Sequence, residues 1–263
     1  SRLPRVIHPV YFPIPMSEKP IYFASDIHLG SVPIEAERAF VRWLTYTAAH
    51  ASELILNGDL FDFWFEYSSV IPGGHTRTLG ALADLVDGGI PVTLMGGNHD
   101  WWGGKFLTDD IGLTFKQGPV VRELAGLKTF IAHGDGLGRG DLPYRILKAV
   151  VRSRSARWLF RWLHPDVGTA IARRISRTAA LVGNPSGVEQ TRSKVLYEWA
   201  VEKLVADSDL DLIVLGHAHI PLLHEAAPSR FYINLGDWIN HRSYLVLTEG
   251  ERPSLKRWEA EDQ

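Results

Sequence analysis

Short apolar runs rich in β-branched and aromatic residues recur along the chain at 21–25 (IYFAS), 53–57 (ELILN), 91–95 (PVTLM), 127–132 (LKTFIA), 211–215 (DLIVL), 230–235 (RFYINL) and 243–247 (SYLVL). Their composition predicts strands. Between the early ones, and again late in the chain, apolar residues repeat with a helical period at 34–50, 76–87 and 186–206. Alternation of this kind predicts an α/β protein. The closing runs, after GHAHI, follow one another with no helix between them, which predicts an antiparallel or mixed part of the sheet, or a second sheet packed on the first. Residues 141–183 are too long and too helical for a strand connection and predict a helical cap inserted within a single domain spanning 1–263. Residues 1–19, carrying Pro4, Pro9, Pro13 and Pro15 with Pro20 just beyond, predict an extended arm without chemistry of its own.

What ends each apolar run is more specific than the runs themselves. IYFASDIHLGS stops at Asp26 and His28, NGDLFD at Asp59, GGNHD at Asn98, His99 and Asp100, AHGD at His133, and GHAHI at His217 and His219. A lone Asp after a strand is usually a turn or helix-cap residue, and a lone buried His is usually a satisfied core residue. Recurrence at stop after stop demands a common cause. In open α/β sheets the carboxyl ends of the strands line the ligand crevice, so residues distant in sequence can converge there. Two histidines one residue apart, such as His217 and His219, either share a face or splay onto two ions. The chain has no cysteine. That excludes disulfides, thiolate metal sites and thiol nucleophiles, and leaves an imidazole, carboxylate and amide set that suits two divalent ions such as Mn²⁺, Zn²⁺ or Fe²⁺ better than a closed structural zinc site.

D-x-H, GD, GNHD, HGD and GHxH, in this order over residues 21 to 220, resemble the calcineurin-like metallophosphoesterase superfamily. NGDLFDFWFEY, HGDGLGRGDLPY, GHAHIP and NLGDW further resemble the UDP-2,3-diacylglucosamine diphosphatases of lipid A synthesis. The resemblance implies a layered β-sandwich flanked by helices, with a helical cap insertion. It also implies a hydrolase that splits the diphosphate of UDP-2,3-diacylglucosamine into UMP and 2,3-diacylglucosamine 1-phosphate. Carried over position by position, Asp26, His28 and His219 hold one ion, Asn98, His133 and His217 the other, and Asp59 bridges them. His99 acts on the phosphoryl oxygens or the leaving group, and Asp100 fixes its tautomer and orientation; the alternative for His99 is a purely structural role. His99 stands where some of these diphosphatases have arginine and restores the general superfamily form. The expected substrate contacts are Asn98, beside its metal role, together with Asp141, Tyr144, Trp158 and Leu159; Asp141 and Tyr144 could instead cap the first helix of the insert.

Composition narrows the setting. The 263 residues are 45% hydrophobic, as a folded globular chain requires. The N-terminal stretch lacks the apolar core of a signal peptide and no run approaches a bilayer-spanning length, so a cytoplasmic location is expected. The formal net charge of −2 hides an uneven distribution. Over 141–180, nine Lys and Arg face only Asp141 and Asp166, giving +7 and leaving −9 for the rest. These cations alternate with Trp158, Leu159, Phe160, Trp162 and Leu163, apolar residues that a merely solvated helix would not need. Acyl chains, or the cytoplasmic surface of the inner membrane, are the expected partners of that combination, and nucleic acid is a less favoured one. A general phosphodiesterase or nuclease on the same scaffold is the first alternative. A non-catalytic membrane-binding module is the second.

Overall fold

The computed structural model describes residues 19–139, 142–175 and 187–259. All but the last residue of the predicted arm lies outside them, as do residues 140–141 and 176–186 at the margins of the predicted cap.

Among the described residues, eleven strands form two mixed sheets. In the first, β1 (Ile21–Ala24), β2 (Glu53–Leu56), β3 (Val92–Met95) and β4 (Thr114–Lys116) run parallel, extended beyond β1 by antiparallel β10 (Ser243–Leu247) and β11 (Ser254–Arg257). In the second, β6 (Leu127–Ile131), β7 (Leu212–Leu215) and β9 (Arg230–Leu235) run parallel, with antiparallel β5 (Val120–Leu124) and β8 (Pro221–Ala227) at the edges. The closing strands therefore divide between the sheets: β8 and β9 join the second, β10 and β11 the first.

Strand period two builds the layers. Phe23, Ile55, Met95, Leu245 and Leu247 face inward from the first sheet and meet Leu212, Val214, Ile233 and Leu235 of the second. Burying each such side chain contributes about 1.5–3 kcal/mol relative to exposure. The alternate residues Tyr22, Ala24, Leu54 and Leu56 point the other way, onto α1 (Ile34–His50) and α2 (Thr76–Asp87). Helix α1 buries Ala36, Ala39, Phe40, Trp43, Leu44 and Thr47, one helical stripe, and carries Glu35 and Glu37 in its first turn, where acids suit the helix dipole. On the far side, α6 (Gly187–Ala206) lays Leu196, Ala200 and Leu204 on Phe130, Ile213, Leu215 and Tyr232. The order helix, sheet, sheet, helix is the layered α/β sandwich expected from the motifs.

Between β6 and α6 the described residues form α3 (Leu142–Val151), α4 (Arg154–Phe160) and α5 (Pro165–Ile175), the helical insertion. Helix α4 starts at Ser153, whose hydroxyl accepts the Ala156 N–H at 3.1 Å, and is anchored by Phe160 against Phe63, Phe65 and Trp102. Among the described residues no helix is long and apolar enough to cross a membrane.

Candidate active site

The carboxyl ends of the parallel strands of both sheets meet at one rim. Strand β1 delivers Asp26 and His28, β2 Asp59, β3 Asn98, His99 and Asp100, β6 His133, and β7 His217 and His219. The chain turns sharply to bring them in. Asp26, His28, Asp59, His217 and His219 have φ between 52° and 64°, a left-handed backbone that non-glycine residues adopt rarely and that concentrates at functional sites. The N–H groups of Ile27 and His28 both donate to the Asp59 carbonyl at 3.0 Å, so the first two loops are tied to each other.

Three groups of ligand-type side chains result. Two are separate: the donor atoms of Asp26, His28 and His219 lie within 4.8 Å of one another, and so do those of Asp59, His133 and His217, while a third group, His28, Asp59 and His99, links them. His217 and His219 thus splay to different groups. Asp26 Oδ2 accepts the Ser25 hydroxyl and the His217 N–H, while the buried Oδ1 has no hydrogen-bond partner and faces His219 Nε2 at 3.3 Å. Asp59 Oδ1 accepts the His99 N–H at 2.9 Å. Its Oδ2 lies 3.2 Å from His133 Nε2 and 3.8 Å from His28 Nε2, so one oxygen addresses both groups. Asn98 Oδ1 is 3.2 Å from His133 Nε2.

Outward partners set the tautomers. His133 Nδ1 donates to the Asn57 carbonyl at 2.9 Å, His28 Nδ1 faces Asp62 Oδ1 at 3.4 Å, and His219 Nδ1 faces Asp237 Oδ2 at 3.5 Å. Each imidazole is left with Nε2 directed inward, the arrangement in which such partners orient a metal-binding histidine. Asn57, Asp62 and Asp237 were not among the residues expected from sequence. All three stand in the stretches NGDLFD and NLGDW, and their place beside a ligand-bearing turn was the available signal. Trp238 holds the neighbouring Asp237 in place by donating its backbone N–H to the Asp26 carbonyl at 3.1 Å and packing its ring on Phe40 and Trp43.

A buried carboxylate oxygen without a hydrogen bond, inside a shell of inward imidazole nitrogens, is costly unless a cation completes it. The oxygen and nitrogen donors fit hard to borderline divalent ions. Comparison with known proteins agrees: residues 19–221 match the calcineurin-like phosphoesterase family model. The chain belongs to the calcineurin-like phosphoesterase family. This is a family of hydrolases that use a dinuclear divalent metal site. The chain is 33% identical over 243 residues to the UDP-2,3-diacylglucosamine hydrolase of Porphyromonas gingivalis, covering 86% of this chain and 93% of that one. It is 30% identical over 237 residues to the UDP-2,3-diacylglucosamine hydrolase of Aeromonas hydrophila subsp. hydrophila, covering 88% and 95%.

Electrostatics follow from burial and pairing in this phosphoesterase. Burial alone would lower the histidine pKa values, but the carboxylates outweigh it. His28, through Asp26, Asp62 and Asp59, and His133, through Asp59 and Asp26, are each raised to about 10, and His219, through Asp26 and Asp237, to about 9. Burial alone would raise the partner acids, yet the imidazoles around them hold Asp26 and Asp59 well below the usual carboxylate range. His217 is driven well down, by burial and then by the charge on His133. Without metal, protons on three imidazoles balance the buried acids; metal ions must displace them.

The expected pairing of His99 with Asp100 is corrected by the geometry. Asp100 accepts the backbone N–H groups of Gly97 at 2.7 Å, Leu60 at 2.8 Å and Asp59 at 3.3 Å, so it holds the β2 and β3 loops together. Burial, then repulsion from Asp59, raises its pKa to about 7 against the pull of those amides. His99 Nδ1 instead donates to the Asp62 carbonyl at 2.7 Å, and its Nε2 lies 4.0 Å from Asp59 Oδ2. The cause is direction: an Asp immediately after His99 in a tight turn faces backbone amides, not its neighbour's ring.

Close approach explains Gly97. A methyl group there would overlap Asp59 Oδ1 and lie 2.6 Å from the Asp59 nitrogen.

The insertion brings charge but not its apolar residues to the rim. Arg152 donates to Asp135 Oδ2 at 2.8 Å and to the Gly97 carbonyl at 3.3 Å and stacks 3.4 Å over Trp101, while Lys148 reaches Asp135 Oδ2 at 2.8 Å. Trp158 and Leu159 are 60% and 62% exposed, with Trp158 turned into a cleft that no residue of the two ligand groups lines. Asp141 and the side chain of Tyr144 lie outside the described residues.

Proposed function

We propose that this phosphoesterase hydrolyses the diphosphate of UDP-2,3-diacylglucosamine to UMP and 2,3-diacylglucosamine 1-phosphate. The observation that carries the reading is the pair of buried imidazole and carboxylate groups sharing Asp59 Oδ2, in a chain that matches the named hydrolases over most of its length. In this reading Asp26, His28 and His219 hold one ion, Asn98, His133 and His217 the other, Asp59 contacts both, and the ions are Mn²⁺. Bound there, they supply positive charge to phosphoryl oxygens and acidify water.

The chain's own groups do the rest. With Nδ1–H committed to the Asp62 carbonyl, His99 exchanges protons only at Nε2, on the side of Asp59, where a phosphoryl or leaving oxygen would lie. Asn98 also touches the phosphate, and Asp141 and Tyr144 the sugar. Arg152 and Lys148, already gathered at Asp135, add positive charge beside Asn98. Trp158 and Leu159, exposed on α4, take the acyl chains. The exposed apolar residues of the insertion, Ile146, Leu147, Val150 and Trp162 among them, together with its arginines, support peripheral attachment to the cytoplasmic face of the inner membrane.

Product analysis tests this. Purified protein with Mn²⁺, Zn²⁺ or Fe²⁺ is incubated with UDP-2,3-diacylglucosamine, a dinucleotide and single-stranded DNA. UMP and the diacylglucosamine phosphate are expected from the first, fastest with Mn²⁺. Faster cleavage of the dinucleotide or DNA would replace the reading with a general phosphodiesterase or nuclease, and no cleavage of anything would favour a binding module.

A further inference from the structure

Arg152 stands directly after α3, and its side chain, only 15% exposed, is held at three points. Nη2 donates to Asp135 Oδ2 at 2.8 Å and to the Gly97 carbonyl at 3.3 Å, and the guanidinium carbon lies 3.4 Å from the centre of the Trp101 ring. Two of these partners, Gly97 and Trp101, flank Asn98, and Asp135 follows His133 by two residues. One planar group therefore joins the β3 loop to the β6 loop where Asn98 Oδ1 and His133 Nε2 approach to 3.2 Å. Gly97 shows what that contact controls. Its N–H is taken by Asp100 Oδ1 at 2.7 Å, and a methyl group on its Cα would overlap Asp59 Oδ1. The remaining group is the carbonyl, which shares a rigid peptide plane with the Asn98 N–H, and Arg152 donates to it. Rotation of that plane would swing Asn98 away from His133. The body of the domain fixes the first two points of Gly97, and the insertion supplies the third. Asp135, buried and 2.8 Å from both Arg152 Nη2 and Lys148 Nζ, keeps the guanidinium at the rim. A lysine could retain the charge and the pair with Asp135, but an ammonium has no plane to lie on Trp101 while bonding at its edge.

We propose that Arg152 is a positioning residue for the ion held through Asn98 and His133. By fixing the Gly97–Asn98 peptide it makes occupancy of that ion depend on where the insertion sits. This role goes beyond the positive charge that Arg152 brings to the rim. It rests on Asn98 being a metal ligand, and it does not depend on which diphosphate or diester is hydrolysed.

The test is calorimetric titration of the full, chelator-stripped chain with Mn²⁺, which reads the number of ions and the Kd of each without recourse to activity. Arg152→Ala should weaken one of the two ions by about 10–100-fold, the loss typical of a partner that orients a metal ligand, and leave the other within a few-fold. Arg152→Lys should lose nearly as much, because the charge survives and the geometry does not. Asn98→Ala should weaken the same ion. Lys148→Met removes the other cation on Asp135, one helical turn earlier, and should leave both Kd values as in the parent protein, even where an Arg152 variant loosens α3. Parent-like affinity in Arg152→Lys would overturn positioning and leave charge alone. Equal weakening of both ions in Arg152→Ala, or the same selective loss in Lys148→Met, would overturn it in favour of general anchorage of the insertion. Unchanged affinity in Asn98→Ala would instead remove Asn98 from the ligands, and the role of Arg152 with it.

Discussion

Asp62 serves two imidazoles at once. Its Oδ1 lies 3.4 Å from His28 Nδ1 and 3.6 Å from His99 Nδ1, and its carbonyl takes the His99 Nδ1–H. His28 and His99 meet edge to face at 4.8 Å, so one acid contacts both the ring proposed to ligate metal and the ring proposed to handle protons. Two variants separate those duties. His99→Ala should lower kcat by about 10²–10⁴-fold with metal content unchanged, the range of a lost general acid. Asp62→Asn should weaken metal affinity by about 10–100-fold, as loss of an orienting carboxylate does, and lower turnover too. Metal lost from His99→Ala would make His99 a ligand, and unaltered metal affinity in Asp62→Asn would remove Asp62 from the site's support. Gly97 acts at the same scale by being small: Gly97→Ala should displace the Asp59 carboxylate and behave like Asp59→Ala, with less than two ions retained by elemental analysis and activity abolished. Two ions retained in both would reject Asp59 as the shared ligand.

At the scale of elements, periodicity was a sound guide wherever burial was one-sided or complete. Helices α1 and α2 span the predicted 34–50 and 76–87, and α6 begins one residue after its predicted start. All seven predicted strands exist, each within a residue or two of its predicted bounds. The strands absent from the sequence reading are β4, β5, β8 and β11, which lie at sheet edges and are made almost wholly of exposed and half-buried residues, so they lack a dense buried apolar run. The π-helical turn Phe106–Asp110 had no local signal either, since Glu66 holds its first amides from forty residues away. Helix α4 is amphipathic in an unusual sense: Phe160 anchors it while Trp158 and Leu159 stay outside. If those two receive acyl chains, Trp158→Ala and Leu159→Ala should impair use of a diacylated substrate while sparing a small soluble phosphodiester. Each acyl CH₂ removed from water contributes about 0.8 kcal/mol, so losing a few contacts costs tenfold or more in binding. Equal losses on both substrates would mean that these residues only support the fold, and no loss on either would remove them from the acyl site.

At the scale of the whole molecule, the metal centre and the fold share one free energy. Ions that bind only the folded chain stabilise it by about 2.7 kcal/mol each at a hundredfold excess over Kd, so chelation should lower Tm markedly. The pH dependence has a defined sign. In the metal-free chain the raised pKa values of His28, His133 and His219 contribute stability that is complete below about pH 6.5 and is lost as pH rises through about 9 to 10. The lowered values of Asp26 and Asp59 contribute stability present above about pH 4 and lost as pH falls further. Metal needs those imidazoles neutral, so the Tm difference between loaded and stripped protein should widen from pH 6.5 to 9, with proton release on metal uptake at pH 7. A difference constant across that range would mean that protons do not compete with the ions.

The amino-acid sequence by itself determined the buried strands and the long helices that pack on them, the alternation that makes an α/β sandwich, and the types of ligand, because apolar period and abrupt polar stops are local properties of the chain. Tertiary structure decided what those stops do together. Which histidine faces which carboxylate depends on two sheets presenting their strand ends at one rim and on left-handed turns that redirect each side chain, and neither is written in the spacing of residues. His99 turned to Asp62 rather than Asp100, and Arg154, Arg157 and Arg161 face a cleft with no ion pair among the described residues, for the same reason: a side chain's partner is chosen by the elements folded against it, not by its neighbours in sequence.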